Sequence, residues 1–215
     1  MTTLLQAKNL TLGDVQRLFG FKREAIAPSF ASLLCLEPLT EFERQELAQI
    51  QEDFDNYLAE GKVSEGQVKF LVIAPLMKLA GFYKSPLAIS LEEDIAEIEI
   101  TDLDTTIKGR MDILAVKKAL SKAEAAFWVL VIEAKNSEIA ALTGLPQLLT
   151  YAYKSLENQP TVWGLTTNGV TYQFVYLSQG NSPIYQLLPD LSLINSERSL
   201  QLLQVLKAIC ALIAA

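Results

Sequence analysis

The stretch Val129-Leu-Val-Ile-Glu-Ala-Lys-Asn136 constrains the fold of this chain more than any other. Four apolar, mostly β-branched residues lead straight into Glu133 and Lys135, with small Ala134 between them. A run of this kind reads as a buried strand. Residues two apart on a strand point to the same face, so Glu133 and Lys135 stand side by side where the strand ends. Taken alone, the pair also fits a strand that merely surfaces into a loop.

The rest of the chain limits the chemistry available to that pair. Its 215 residues suffice for one sizeable core, and 50% apolar with 20% charged residues is a globular balance. The formal net charge of −7 argues against nonspecific coating of nucleic acid, while leaving room for a local basic groove. Histidine is absent, which excludes Ser-His-Asp and Cys-His catalysis and histidine-ligated zinc. Catalysis would fall to carboxylates, Lys, Tyr, Ser, Cys or a hard metal ion. No uncharged apolar run approaches the roughly 18 residues of a membrane span. The N-terminal MTTLLQAKNL does not read as a signal peptide. Cys35 and Cys210 read as reduced thiols. The expectation is a cytoplasmic protein with no membrane partner.

Helix signals are plentiful. Thr11 caps a short helix that Gly20 stops, and Thr40 with Glu43 forms a capping box before Phe42, Leu47, Ile50, Phe54, Tyr57 and Leu58. Ser64 caps a further helix running to Gly81, with Val68, Leu71, Val72, Pro75 and Leu79 as its inner stripe and Pro75 expected to kink it. Glu65 lies at the head of that stripe. Strands are expected over 94–100, 109–116, 127–133, 161–167 and 170–177, with a polar turn at 102–108 and a hairpin at Asn168-Gly169. Helices follow at about 145–156, opened by Pro146, and at about 196–212. The last helix reads as docked on the body, or as a homodimer contact. Short connections between the early strands favour antiparallel pairing. The order of elements indicates an α/β domain rather than a βαβ repeat. Residues 1–61 form an N-terminal helical arm, 62–177 the core, and 178–215 a loop and helix packed with it.

Asp112 is the second constraint. A carboxylate inside the strand Met111-Asp-Ile-Leu-Ala-Val116 is costly unless it is paired or binds a cation. If adjacent strands carry Asp112 and Glu133, the two acids can share one sheet edge. Two close carboxylates suit a hard divalent ion, with the Ala134 carbonyl as a further ligand. Such an ion activates water and stabilises charge on a phosphoryl oxygen, and Lys135 could orient that water. A plain alternative is a buried Asp112–Lys135 salt bridge with Glu133 solvated.

The order Gly109-Arg-Met-Asp112, twenty positions, then Glu133-Ala-Lys135 resembles the PD-(D/E)xK nuclease superfamily. Met111 stands where that family usually has proline. The resemblance extends to Glu65, on a helix before the first core strand, and to Gln147-Leu-Leu-Thr-Tyr151 on the helix after Glu-x-Lys. It also extends to the hairpin from Trp163 to Phe174. Together these are similar to the N-terminal nuclease domain of type I restriction enzyme motor subunits. The resemblance implies a restriction-endonuclease-like core, a central mixed sheet of about five strands flanked by helices. It implies a metal-dependent DNA nuclease with Mg2+ or Mn2+ at Asp112, Glu133 and Ala134. Asp112, Glu133, Lys135, Glu65, Gln147 and Tyr151 would form the catalytic set, with Glu65 orienting Lys135 or touching a second ion. Gln147 and Tyr151 would contact phosphate or hold the lysine. Arg110, Lys117, Lys118, Lys122 and Lys154 would contact the DNA backbone. A motor or specificity subunit would be a partner. A second reading is a catalytically silent nuclease-fold module for DNA binding or assembly. A third is an unrelated α/β protein in which Asp112, Glu133 and Lys135 do not converge.

Overall fold

The computed structural model describes residues 3–24, 29–94, 98–100, 105–117 and 127–212. Its centre is a mixed sheet. In chain order the strands are β1 (Thr3–Gln6), β2 (Lys22–Arg23), β3 (Leu87–Asp94), β4 (Ile98–Ile100), β5 (Thr105–Lys108) and β6 (Arg110–Lys117). β7 (Phe127–Ala134), β8 (Thr161–Thr167), β9 (Thr171–Ser178), β10 (Ile184–Leu187) and β11 (Leu191–Ser192) follow. The main sheet runs β2-β10-β9-β8-β7-β6-β3, with β11 also paired to β9, and a small sheet runs β1-β5-β4.

β6 and β7 pair antiparallel, as their short connection requires, whereas β7 and β8 are parallel. The crossover between that parallel pair carries α6 (Leu145–Leu156), which begins with Pro146 as expected. Alternation on β7 sends Leu130 and Ile132 into one apolar core and Val131 into the other. The first core is covered by α2 (Phe30–Leu33), α3 (Glu41–Ala59), the helix that includes α4 (Glu65–Val68) and α5 (Ala74–Ala80), and α7 (Ser196–Ala211), the second by α1 (Leu12–Phe19) and α6. The C-terminal helix docks with Leu202, Leu203, Leu206 and Ile209 buried. No helix among the described residues is long and apolar enough to cross a membrane.

Thr11 and Thr40 each close a capping box, and Ser64 closes another with Gln67. The helix after Ser64 is not simply kinked. It runs as α4 (Glu65–Val68), a π segment (Lys69–Ile73) and α5 (Ala74–Ala80). Pro75 has no N–H to donate and its ring crowds the preceding turn, so the helix widens. The Ala74 N–H donates to the Lys69 carbonyl, five residues back. The extra residue turns everything after it by about 100°. The buried face is therefore Val68 and Val72, then Ile73, Leu76, Met77 and Ala80; Leu71, Pro75 and Leu79 are only half-buried.

Other expectations are corrected. Phe42 and Tyr57 are exposed, leaving Leu47, Ile50 and Phe54 as the inner face of α3. The expected strand at 94–100 falls partly outside the described residues; its two ends belong to β3 in the main sheet and β4 in the small one. The expected polar turn holds β5, whose Ile107 is fully buried and which pairs with β1. The main sheet has eight strands rather than about five, because β2, β10 and β11 extend it beyond β3 and β6–β9.

The Asn168-Gly169 turn is present. The Asn168 side-chain oxygen accepts from the backbone N–H groups of Val170 at 3.1 Å and Thr171 at 2.8 Å. Gly169 sits at φ +87°, and a Cβ there would lie 2.5 Å from Phe54 Cζ. Gly169→Ala combines left-handed strain with overpacking and should cost roughly 1–3 kcal/mol. Urea denaturation should show this as a lower midpoint with unchanged slope.

Candidate functional site

The site lies where β7 ends beside β8. The Lys135 N–H donates to the Thr167 carbonyl at 2.8 Å, so the pairing continues one residue past Glu133-Ala134 and fixes both charged side chains. Glu133 and Lys135 share a face, and Lys135 Nζ lies 2.5 Å from Glu133 Oε1. Glu133 is 1% exposed, and its second oxygen, Oε2, has no hydrogen-bond partner among the described residues. The backbone of Gly144 lets that side chain in: a Cβ there would come within 2.8 Å of Glu133 Cγ.

Asp112 sits on the adjacent strand, held from two directions. The Ala134 N–H donates to Oδ2 at 2.8 Å, and Lys69 Nζ donates to Oδ1 at 2.7 Å. Lys69 also donates to Glu65 Oε1 at 2.9 Å. Burial opposes the charge on Lys69, but hydrogen bonds to Asp112 and Glu65 outweigh it and hold the ammonium above its ordinary range. On the far side, Lys135 Nζ is 3.4 Å from Gln147 Oε1. Gln147 donates to the Tyr151 hydroxyl at 2.6 Å, which donates to the Arg110 carbonyl at 2.8 Å. Burial, then the Glu133 carboxylate, push the Tyr151 phenol above its ordinary value, so it remains a neutral donor. Gln147 and Tyr151 stand four apart on α6, one above the other.

Asp112, Glu133, Lys135, Gln147 and Tyr151 are thus brought together as the motif order suggests, and Glu65 lies at their margin. Two assignments are corrected. Glu65 pairs with Lys69, not with Lys135, because the first turn of α4 sets their side chains four residues apart on one face. The plain alternative of an Asp112–Lys135 bridge with solvated Glu133 is reversed: Glu133 is the buried partner of Lys135, and Asp112 bonds Lys69. Lys69 was missed by motif reasoning, although Glu65 and Lys69 at i,i+4 on a capped helix carried the signal. Gly144 had no sequence signal, since its need is set by a contact across the fold.

The basic residues contribute less. Arg110 is exposed and lies 3.5 Å from Glu92. Lys154 pairs with Glu157 at 2.7 Å. Lys117 is five strand residues from Asp112, about 17 Å along β6. Lys118 and Lys122 lie outside the described residues.

Burial, followed by repulsion from Asp112, raises the Glu133 carboxyl to about 8, with Lys135 opposing. A buried carboxylate with an unpartnered oxygen, repelled by a second carboxylate, is a donor set that a hard cation would satisfy. Among the described residues no three acidic or cysteine side chains gather closely enough to hold an ion by themselves.

Fold and site together describe a mixed α/β protein with a carboxylate–lysine cluster at the end of two parallel strands. No family model and no curated protein matches the chain. Among solved structures it is similar to the fragment structure of a putative HsdR subunit of a type I restriction enzyme from Vibrio vulnificus YJ016. The TM-score is 0.40 and the identity 18%, over 66% of this chain and 25% of that one. The chain thus spans a quarter of that fragment's length. At so low a TM-score the likeness carries no argument, and function is read from the side chains.

Between pH 4.5, the ordinary value, and about 8, folded Glu133 holds a proton that the unfolded chain has released. Stability contributed by this group therefore falls as pH rises through that window. Glu133→Gln should flatten the fall, which thermal denaturation of both proteins at pH 5 and pH 8.5 would reveal as a smaller difference in Tm.

Proposed function

We propose that this chain is a metal-dependent nuclease that hydrolyses DNA phosphodiester bonds. The observation that carries the reading is the unpartnered, buried Oε2 of Glu133 beside Asp112, with Lys135 held against the same carboxylate. Asp112, Glu133 and the Ala134 carbonyl would hold magnesium or manganese, which supplies a Lewis acid for a phosphoryl oxygen and a more acidic water. Lys135 places a cation where negative charge develops on phosphate and orients the attacking water. Gln147 and Tyr151 hold that lysine through a hydrogen-bonded chain anchored on the Arg110 carbonyl, so its position is set before substrate arrives. Glu65 draws Lys69 toward itself and leaves one oxygen of Asp112 tied to the Ala134 N–H.

One observation favours a second reading, a nuclease-fold module that binds without cleaving. Lys69 already neutralises Asp112, so a cation must compete with an ion pair formed at 2.7 Å. Manganese titration by calorimetry separates the readings. The nuclease requires manganese binding that Asp112→Ala and Glu133→Ala remove; absence of binding with and without DNA supports the silent module.

Lys135→Ala should lower manganese-supported cleavage of DNA by at least about 100-fold, the scale of losing one preorganised transition-state donor. Asp112→Ala should abolish it. A panel of linear, circular, single-stranded and branched DNA measures this, and full cleavage by highly purified Lys135→Ala protein rejects the role given to Lys135.

A further inference from the structure

A cavity of about 580 Å³ opens directly beside the cluster and shares Lys69 and Asp112 with it. Its volume lies within the roughly 300–1,000 Å³ of small-molecule sites. The rest of its wall is largely apolar and aromatic, including Phe70, Met77, Phe82, Tyr83 and Leu91. Phe70 is 77% exposed, Leu91 66% and Tyr83 52%, a concentration of apolar surface that a lone domain has no reason to leave open. The Tyr83 hydroxyl donates to the Ala74 carbonyl at 3.2 Å, which fixes its ring.

Both walls depart from regular geometry here. The π segment begins at Lys69 and presents Phe70 beside it. Across the cavity β3 pairs Leu91 with Ile113 and Glu93 with Met111, which sets Glu92 opposite Asp112, and Glu92 adopts φ +51°. Widened helical turns and left-handed non-glycine residues concentrate at binding sites.

We propose that this cavity receives an unstacked nucleobase from the strand whose phosphate lies at the Asp112–Glu133 cluster, so that the preferred substrate is DNA with single-stranded character. The proposal rests on the nuclease reading and names its substrate class. The occupant joins a flat apolar part to an anionic part, because the aromatic wall meets Lys69 and Asp112, and Asp112 belongs to the proposed ion site where phosphate would lie. A nucleotide has both parts; an apolar peptide side chain has only the first. The charge of the chain points the same way. At −7, with Arg110, Lys69 and Lys154 engaged by carboxylates, phosphate contacts near the cluster gain little from net charge. Stacking on aromatic rings is indifferent to sequence and supplies affinity that net charge withholds. A base in an intact duplex must first be extruded, a cost that a single strand or frayed end escapes.

The test uses the whole chain with magnesium and end-labelled oligonucleotides: a single strand, the same strand with abasic sites, and a blunt duplex. Anisotropy is read before turnover, and manganese-supported cleavage is measured separately. The single strand should bind more tightly than the duplex, and abasic replacement or Phe70→Ala should each weaken it by roughly tenfold or more, with little effect on the duplex. Equal affinity for all three DNAs, or insensitivity to both changes, overturns the proposal. Abasic replacement needs no altered protein, so a folding defect in Phe70→Ala cannot hide the answer. Cleavage without base dependence removes the slot and leaves the nuclease; base-dependent binding without cleavage removes the nuclease and leaves the slot. A dimer that Phe70→Ala dissolves assigns the face to a second copy and overturns the proposal.

Discussion

The buried carboxylate of Glu133 is the interaction on which the site depends. It sits at the end of a central strand, 1% exposed, with one oxygen on Lys135 and the other unpartnered. Such a group costs folding free energy, since its charged form has lost water without full compensation, and burial raises its carboxyl to about 8. The surroundings are built to keep it there. Gly144 leaves space for its stem, the parallel pairing of β7 and β8 fixes its backbone, and Gln147 and Tyr151 hold the lysine that answers it. A protein selected only for stability would place an apolar residue here.

Around Glu133 the charges form two linked pairs. Glu133 faces Lys135, and Asp112 faces Lys69, which also binds Glu65. The Ala134 N–H couples the pairs by tying Asp112 to the strand that carries Glu133. This arrangement keeps both acids close while each has its own cation. Local irregularity gathers beside it. The π segment that Pro75 provokes starts at Lys69, and the left-handed residue Glu92 lies across from Asp112. Lys69 and Phe70 of the π segment and Glu92 all line the cavity beside the acids.

Much of this was legible in the chain. Capping residues located α1, α3 and the helix after Ser64 because a cap is a local contact between residues three apart, and Pro146 located the start of α6. The strand ending in Glu-Ala-Lys stood out because apolar β-branched runs are seldom anything but buried strand. The resemblance carried by Asp112, Glu133, Gln147 and Tyr151 implied one site. The misses share a cause. β1, β2, β5 and β10 are short, and become strands through partners far off in sequence: β1 pairs β5, and β2 pairs β10. The inner stripe of α4–α5 was misplaced because an unbroken period of 3.6 does not foresee an inserted residue.

By itself, then, the sequence determined where α1, α3, the helix after Ser64, α6 and α7 begin, the buried strand of Val129–Ile132 and the residue types available for chemistry, since capping, alternation and the lack of histidine are local or compositional. It also placed Asp112 and Glu133 on adjacent strands through a short connection. Only the tertiary structure decided which charge answers which. Whether Asp112 would meet Lys135 or Lys69, and whether Glu133 would be solvated or sealed, depends on how α4 and α6 pack on opposite faces of the sheet. Ion pairing is set by distance and burial, and both come from contacts between residues remote along the chain.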